Sequence, residues 1–193
     1  DAEDQGYTNG MYGIQDWNYV EGAPVFVEEI DNFYDSFSEQ FECFILLDMV
    51  GGANLTFIKE SRSDEVLHES IFREGQNLGY NDSFPISPKV MSINDDHIPF
   101  KSLNIPVIDL IINFLTGDWA YHHTKSDDLS NIDPKSLKIT GRTIESFIKT
   151  YFSINSSQTW NRDDNGFPIW GYSLIGVAII VAVTVIYIYR KKT

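Results

Sequence analysis

Two uninterrupted apolar runs alternate with segments of helical periodicity along the first part of the chain. The runs FECFILLDMV, which begins at Phe41, and IPVIDLII, over 105–112, are typical of strands buried on both faces. Apolar residues at helical spacing over 26–37 and again over 61–78 predict amphipathic helices between these strands. This alternation predicts an α/β fold with a largely parallel (mixed) central sheet flanked by helices.

A third helix is predicted after the second run, because Asp133 has the residue type of an N-cap and Pro134 suits the first helical position. One face of this helix should be apolar, through Leu137, Ile139, Ile144, Phe147, Ile148 and Tyr151. On the helix over 61–78, the residues expected to face the core are Val66, Leu67, Ile71 and Phe72. His68 is expected on the exposed face of that helix.

The composition changes after residue 152, where the globular part is expected to end. Residues 153–168 are polar and predict a linker, and residues 169–189, IWGYSLIGVAIIVAVTVIYIY, carry no charge and are long enough to cross a bilayer as one helix. Trp and Tyr at both ends of this run are typical interfacial anchors, and the basic tail 190–193, RKKT, predicts a cytosolic carboxyl terminus. The sequence therefore predicts a single-pass membrane protein of the secretory or endomembrane system, with the lipid bilayer as a partner.

Three glycosylation sequons agree with a lumenal or extracellular position for the segment ahead of the membrane. They begin at Asn54, Asn81 and Asn155. The chain of 193 residues has a formal charge of −14, which argues against nucleic acid as a partner because phosphates would be repelled. A Gly-rich phosphate loop is also missing from the sequence, so nucleotide binding is not expected. The single cysteine, Cys43, lies in an apolar run and predicts a buried, inert thiol.

Side chains suited to chemistry follow the ends of the predicted strands, where ligands bind in sheets of this class. Asp48 ends the first apolar run, NDDHIPF precedes the second, and the histidine pair at 122–123 follows it. The candidate metal ligands on this basis are Asp4, Asp48, Asp96, His97, His122 and His123. The spacing alone favours a solvated loop whose histidines are hydrogen-bonded over a metal site.

Acidic pairs are usually solvated surface, and Asp127 and Asp128 fit that pattern, with one of them expected to cap the next turn. Glu3 and Asp95 fit it less well, because their neighbours are apolar or loop-forming. A carboxyl group in a dry pocket can work as a base of raised pKa.

Four segments in this order resemble the glutaminyl-peptide cyclotransferases, members of the larger family of zinc aminopeptidases with a shared α/β fold. The segments are DAED, FILLDMVGGANLTF, DDHIPFKSLNIPVIDLI and HTKSDDLSNID. The resemblance covers residues 1–152, which are identified as the carboxyl-terminal part of such a domain. It implies a zinc-dependent acyltransferase that acts on peptides or proteins with an amino-terminal glutamine and releases ammonia.

The resemblance also implies a role for each matching residue. Glu3 is similar to the general base, and Asp48 and Asp95 to carboxylates that relay its proton. Asp4 and His123 are similar to ligands of a single Zn²⁺, whose third protein ligand would lie upstream of Asp1, so the chain is expected to be truncated at its amino terminus. His122 and Asp96 are expected at the substrate.

Three positions depart from the family pattern. Asp4 stands where the family has a glutamate, His122 where animal cyclases have a tryptophan, and Asn9 where an aromatic residue is usual. These departures leave two alternatives open. One is a two-metal aminopeptidase of the same fold, in which Asp48 would bind the second metal. The other is a catalytically inactive, membrane-anchored relative.

Overall fold

The computed structural model describes residues 20–35, 37, 39, 41–114, 121–122 and 124–154. Within them the elements follow the order α1, β1, β2, α2, β3, α3, β4, α4. The helices are α1 (Gly22–Glu28), α2 (Glu65–Asn77), α3 (His97–Phe100) and α4 (Pro134–Ile154), and the strands are β1 (Phe44–Asp48), β2 (Lys59–Glu60), β3 (Val90–Met91) and β4 (Val107–Ile111). Short 3-10 turns lie at Ile30–Asn32, Lys101–Leu103 and Leu129–Asn131.

The strands pair mainly in parallel. β1 pairs with β4 so that Phe44 lies opposite Val107 and Asp48 opposite Ile111, and β2 pairs in parallel with β3. An antiparallel bridge joins Phe57 to Ile112, just beyond β4. The described strands form two two-stranded parallel sheets, and the antiparallel bridge lies outside both. These parallel strands and the helices beside them confirm the predicted α/β class.

Alternation along the strands directs side chains to two separate cores. Ile108 and Leu110 lie in a core with residues of α2 and α4. Val107 points to the other face, where it packs with Phe100 of α3 and Ala23 of α1. Because all five residues of β4 are buried, its apolar run has no polar alternation, as expected for a strand covered on both faces.

The prediction of a helix over 26–37 is wrong. The helix in this region is α1, which ends at Glu28, and a 3-10 turn follows it at Ile30–Asn32. Phe33 is 69% exposed and Phe37 fully exposed, so two of the residues that made the helical spacing do not face a core. Apolar spacing indicates a helix only where the spaced residues share a buried face.

The second predicted helix is present but begins later, at Glu65. Asp64 is the N-cap, and its Oδ1 accepts a hydrogen bond of 2.8 Å from the backbone N–H of Leu67. The expected core face is confirmed for Leu67, Ile71 and Phe72, whereas Val66 is exposed. The prediction that His68 is exposed is also wrong, because only 4% of the residue is accessible.

The third predicted helix, α4, begins at Pro134 as expected. Oδ1 of Asp133 accepts a hydrogen bond from the backbone N–H of Lys135, and α4 continues through Ile154, two residues into the segment predicted as linker. On its apolar face Phe147 is buried, whereas Leu137 and Ile148 are nearly half exposed. None of the described helices is both long and apolar enough to cross a membrane, and the predicted span 169–189 and tail 190–193 lie outside the described residues.

Candidate catalytic edge of the sheet

Asp48 is the last residue of β1, at the carboxyl end of the parallel pair. The strand ends there because Met49 takes a left-handed conformation, with φ of 48°. The turn that follows is tied to the start of α4, since the carbonyl of Gly51 accepts the N–H of Asp133 at 2.8 Å and that of Gly52 accepts the hydroxyl of Ser136 at 2.6 Å. The structure therefore holds Asp48 at the sheet edge that binds ligands in this class of fold.

Asp95 and Asp96 immediately precede α3, which crosses the face of β1 and β4. The ring of Phe100 stacks on Phe44 at the start of β1, with centroids 3.8 Å apart. One turn earlier in α3, His97 lies beside Asp109 in the middle of β4, with Nδ1 and Oδ2 4.0 Å apart. α3 thus runs antiparallel to the strands, and the residues before it lie towards their carboxyl ends.

Alternation along β1 places Asp48 on the same face as Phe44, which is the face that α3 covers. Asp95 is 3% exposed, so it is a buried carboxyl group rather than a solvated surface acid. Its Oδ1 accepts the backbone N–H of Asp96 at 2.7 Å. The structure therefore brings the two carboxyl groups predicted for the proton relay to one face and one edge of the sheet.

His122 follows β4 and lies at the same edge. Its ring is tilted against that of Phe114, with centroids 4.8 Å apart. Phe114 is only three residues past the end of β4, so the contact locates His122 close to the carboxyl end of the strand. An imidazole packed on an aromatic ring suits a pocket wall, the role predicted for His122.

A buried charged cluster lies directly beneath this edge, and the sequence analysis did not identify it as a unit. Its members are Glu60, His97 and Asp109, each at most 1% exposed. The only one considered from the sequence was His97, as a candidate metal ligand. The available signal was a charged residue inside an otherwise apolar strand, as for Asp109 in VIDLI. Such a residue needs buried partners, but the sequence does not say which.

The cluster controls the charge of its own members. Burial by itself raises the pKa of Glu60, but the N–H of Ile93, the nearby His97, the hydroxyl of Ser63 and the N–H of Arg62 together hold it below its usual value. Burial lowers the pKa of His97, against the opposing effect of Glu60. At neutral pH Glu60 is therefore a carboxylate and His97 is neutral. The Nε2–H of His97 donates to Oε2 of Glu60, with 3.2 Å between the nitrogen and the oxygen.

The predicted base and metal ligands cannot be located in this structure. Glu3, Asp4 and His123 lie outside the described residues, as does Asn155. Within the described part of the chain, three or more His, Cys, Asp or Glu side chains nowhere converge as a metal site would require. The roles predicted for Glu3, Asp4 and His123 stay predictions.

The remaining polar candidates are exposed, and one of them caps a turn of the backbone. Asn54 and Asn81 are exposed, as a glycosylated asparagine must be. Asp127 is exposed, and Asp128 caps the 3-10 turn Leu129–Asn131 by accepting the N–H of Ser130 at 2.8 Å, as predicted for one of this pair. The hydrogen bonds from Ser130 lower the pKa of Asp128.

Comparison with known proteins identifies the family. A sequence model of peptidase family M28 matches residues 1–148. The chain belongs to this family. Over an alignment of 126 residues, this chain is 29% identical to a glutaminyl-peptide cyclotransferase-like protein of Bos taurus. The alignment covers 60% of this chain and 32% of the bovine protein.

Solved structures agree with this assignment. The glutaminyl cyclase of Bacteroides thetaiotaomicron, bound to N-acetylhistamine, matches with a TM-score of 0.65 and 30% identity over 77% of this M28 chain and 51% of that structure. A Zn-dependent exopeptidase from Parabacteroides distasonis matches with a TM-score of 0.63 and 31% identity over 84% of this chain and 52% of that structure. The resemblance to glutaminyl cyclases of the zinc aminopeptidase-like fold is thus confirmed. The M28 chain spans about a third of the length of the bovine relative and about half of each of these structures.

Proposed function

We propose that this chain acts within a zinc-dependent glutaminyl-peptide cyclotransferase, which converts the amino-terminal glutamine of a peptide or protein to pyroglutamate and releases ammonia. The observation that carries the proposal is the likeness to glutaminyl cyclases in both sequence and fold. The position of Asp48 at the carboxyl end of β1 and the burial of Asp95 before α3 support it, because a proton relay needs carboxyl groups that are shielded from water at this edge.

In the proposed reaction the α-amine of the substrate attacks the side-chain carbonyl of its own glutamine. The new bond joins the α-nitrogen to the side-chain carbonyl carbon, and the bond from that carbon to the side-chain nitrogen breaks. Glu3 accepts a proton from the α-amine and donates one to the departing ammonia, as a general base that then acts as an acid. Asp95 and Asp48 hold this proton network, and His122 and Asp96 contact the substrate.

The residues proposed as metal ligands suit zinc by their chemistry. Asp4 supplies a carboxylate and His123 an imidazole, two donor types that Zn²⁺ takes in catalytic sites. His122, the described neighbour of His123, lies at the same edge of the sheet as Asp48. When bound, zinc would supply Lewis-acid polarisation of the glutamine carbonyl.

A second candidate function is a zinc exopeptidase. The likeness to the Parabacteroides distasonis exopeptidase favours it, since the TM-score is close to that of the cyclase structure. Both functions use the same fold. They differ in the nucleophile, which is the substrate's own amine in a cyclase and water in an exopeptidase, and in the number of metal ions that we expect.

The deciding experiment gives zinc-loaded full-length protein a peptide that begins with glutamine. We expect each peptide to lose ~17 Da and one molecule of ammonia to be released for each peptide, because the α-amine displaces the side-chain nitrogen. Free amino acids and two zinc ions per chain would instead establish the exopeptidase. Neither product from fully loaded protein would reject both functions and leave the inactive relative.

Two substitutions test the residue roles within this function. Glu3→Gln should keep zinc binding and lose most turnover, roughly 100-fold or more for a general base. His123→Ala should lose zinc. The control is Asp127→Asn, which removes an exposed carboxylate from the loop that follows His123 and should change neither quantity. Near-normal activity of Glu3→Gln would show that the base is a different residue.

We also propose that residues 169–189 span a membrane, with the catalytic part lumenal or extracellular and the carboxyl terminus cytosolic. The uncharged run and its basic flank support this orientation. The exposed positions of Asn54 and Asn81 are compatible with glycosylation on that side. Protein expressed in a eukaryotic cell should shift in mass on glycosidase treatment and remain in the membrane fraction after a carbonate wash.

A further inference from the structure

Glu60, at the end of β2, is a carboxylate whose two oxygens receive donors from separate parts of the chain. Oε2 accepts the backbone N–H of Arg62 at 2.8 Å, the hydroxyl of Ser63 at 3.1 Å and Nε2 of His97 at 3.2 Å. Oε1 accepts the backbone N–H of Ile93 at 3.0 Å. A buried carboxylate is tolerated only when its oxygens are satisfied in this way.

Two of these donors belong to residues that flank Asp95 and Asp96 in the sequence. Ile93 lies two residues before Asp95, and His97 lies one residue after Asp96. Both oxygens of Glu60 therefore hold the segment 93–97, one at each end. The adjoining pairing of β2 with β3 covers only two residues of each strand, so it does little to fix the segment by itself.

The same carboxylate is connected to the central sheet. The hydroxyl of Ser63 donates to Glu60 and accepts the backbone N–H of Asp109 at 3.0 Å. Asp109 is completely buried in β4, opposite Leu46 of β1. Glu60 thus links the segment that carries Asp95 to the strand pair that carries Asp48.

We propose that Glu60 is a positioning residue for the cyclisation reaction, which fixes Asp95 relative to Asp48 by holding both ends of the segment 93–97. This inference rests on the proposed function. In this role Glu60 acts through Ile93 and His97. A catalytic carboxyl group needs such support because a misplacement of about 1 Å can reduce turnover about 100-fold.

The first test is Glu60→Gln, which keeps the shape of the side chain but replaces one acceptor oxygen by a donor NH₂. In either orientation of the amide, its NH₂ group takes the place of one acceptor oxygen. It then faces the donor that this oxygen bound, on the side of Ile93 or on the side of His97. We expect kcat to fall by about 10- to 100-fold while KM stays within about twofold, because the substrate still binds but Asp95 is misplaced. Zinc content should be unchanged. The control is Glu65→Gln, which removes an exposed carboxylate that pairs with Lys59.

Two substitutions of His97, which is the partner of Glu60 in this contact, distinguish a positioning role from a general loss of stability. His97→Gln can still present an amide N–H to Glu60 and should retain most of kcat. His97→Leu has similar bulk but no donor, and should reproduce the loss seen in Glu60→Gln. Equal kcat values for the two His97 variants would overturn the proposal, as would a Glu60→Gln protein whose only defects are lower zinc content or a lower melting temperature.

Amide hydrogen exchange gives a readout that does not depend on activity. In Glu60→Gln, the peptide that contains residues 92–98 should exchange about 10-fold faster or more, while α2 and α4 keep their protection. If wild-type protein makes no pyroglutamate, the proposed function fails, yet faster exchange confined to this peptide would still support the positioning contact. Unchanged exchange there would overturn it in either case.

Discussion

Gly75 offers the sharpest test of how this protein is packed. It lies near the carboxyl end of α2, where a methyl group in place of its hydrogen would come within 2.2 Å of Cδ2 and 2.4 Å of Cγ of Phe84. The Phe84 ring is completely buried and packs on Phe57, with centroids 4.8 Å apart, and edge-on against Phe72 at 5.3 Å. Because the ring is enclosed in this way, it cannot move aside without disturbing the core.

The expected effect of Gly75→Ala is the difference between two opposing terms. Alanine in a helix interior is favoured over glycine by up to about 1 kcal/mol. Forcing a methyl group into a filled core costs about 1–3 kcal/mol, and the very short contacts place this site at the upper end. We therefore expect a net destabilisation of about 2 kcal/mol.

Gly141 of α4 is the matched control, because nothing lies within 4 Å of the position that its methyl group would take. Gly141→Ala should stabilise the protein by about 1 kcal/mol, so the two variants should differ by about 3 kcal/mol. Urea unfolding of the full-length protein, followed by far-ultraviolet circular dichroism, measures both. Replacing Phe84 by leucine in the Gly75→Ala background should recover part of the loss. Equal stabilities of the two alanine variants would refute the argument.

Three further predictions concern individual side chains. The pKa of His68 is lowered from 6.5 to about 4, chiefly by burial; stability should therefore be complete above pH 6.5 and decline by up to about 3 kcal/mol as the pH falls towards 4, a slope that His68→Phe should reduce. Cys43 is partly rather than fully buried, in contrast to the prediction. Burial, and secondarily Glu42, raises its pKa to about 11, so a thiol reagent at pH 8 should label native protein much more slowly than urea-unfolded protein, and equal rates would contradict this shielding. Asp64→Ala should cost about 1 kcal/mol through loss of the α2 cap, whereas Asp64→Asn should cost only a few tenths, and equal losses would show that the cap is not the cause.

Local signals in the sequence were sufficient for β1, β4 and α4. Both strands were visible as short apolar runs, but only β4 is buried on both faces as predicted; β1 is partly exposed, with Leu47 44% accessible. α4 begins at a capping residue followed by proline. The resemblance to known glutaminyl cyclases could likewise be recognised before any coordinates, because its motifs are contiguous stretches of chain. Asp48 could be placed at a strand end for the same reason.

The environment of His68 could not be read from the spacing of α2. This helix packs against both α4 and β4, so a wider part of its circumference is covered than the single stripe that the apolar residues suggest. His68 stacks on Phe72, with centroids 3.9 Å apart, and is hydrogen-bonded to the backbone of Ile58, which lies ten residues earlier in the chain. The helical period predicts which residues share a face and gives no information on how many neighbours cover the helix.

The sequence by itself determined the family, the strand that ends at Asp48 and the acidic motif that contains Asp95. Tertiary structure alone decided that Glu60, His97 and Asp109 meet, since 37 residues separate Glu60 from His97. Strand runs, caps and motifs depend on neighbours within a few positions, so they are visible in one stretch of chain. A buried carboxylate is stabilised by whichever donors the folded chain brings within about 3 Å, and only the packing of α3 onto the sheet specifies those donors.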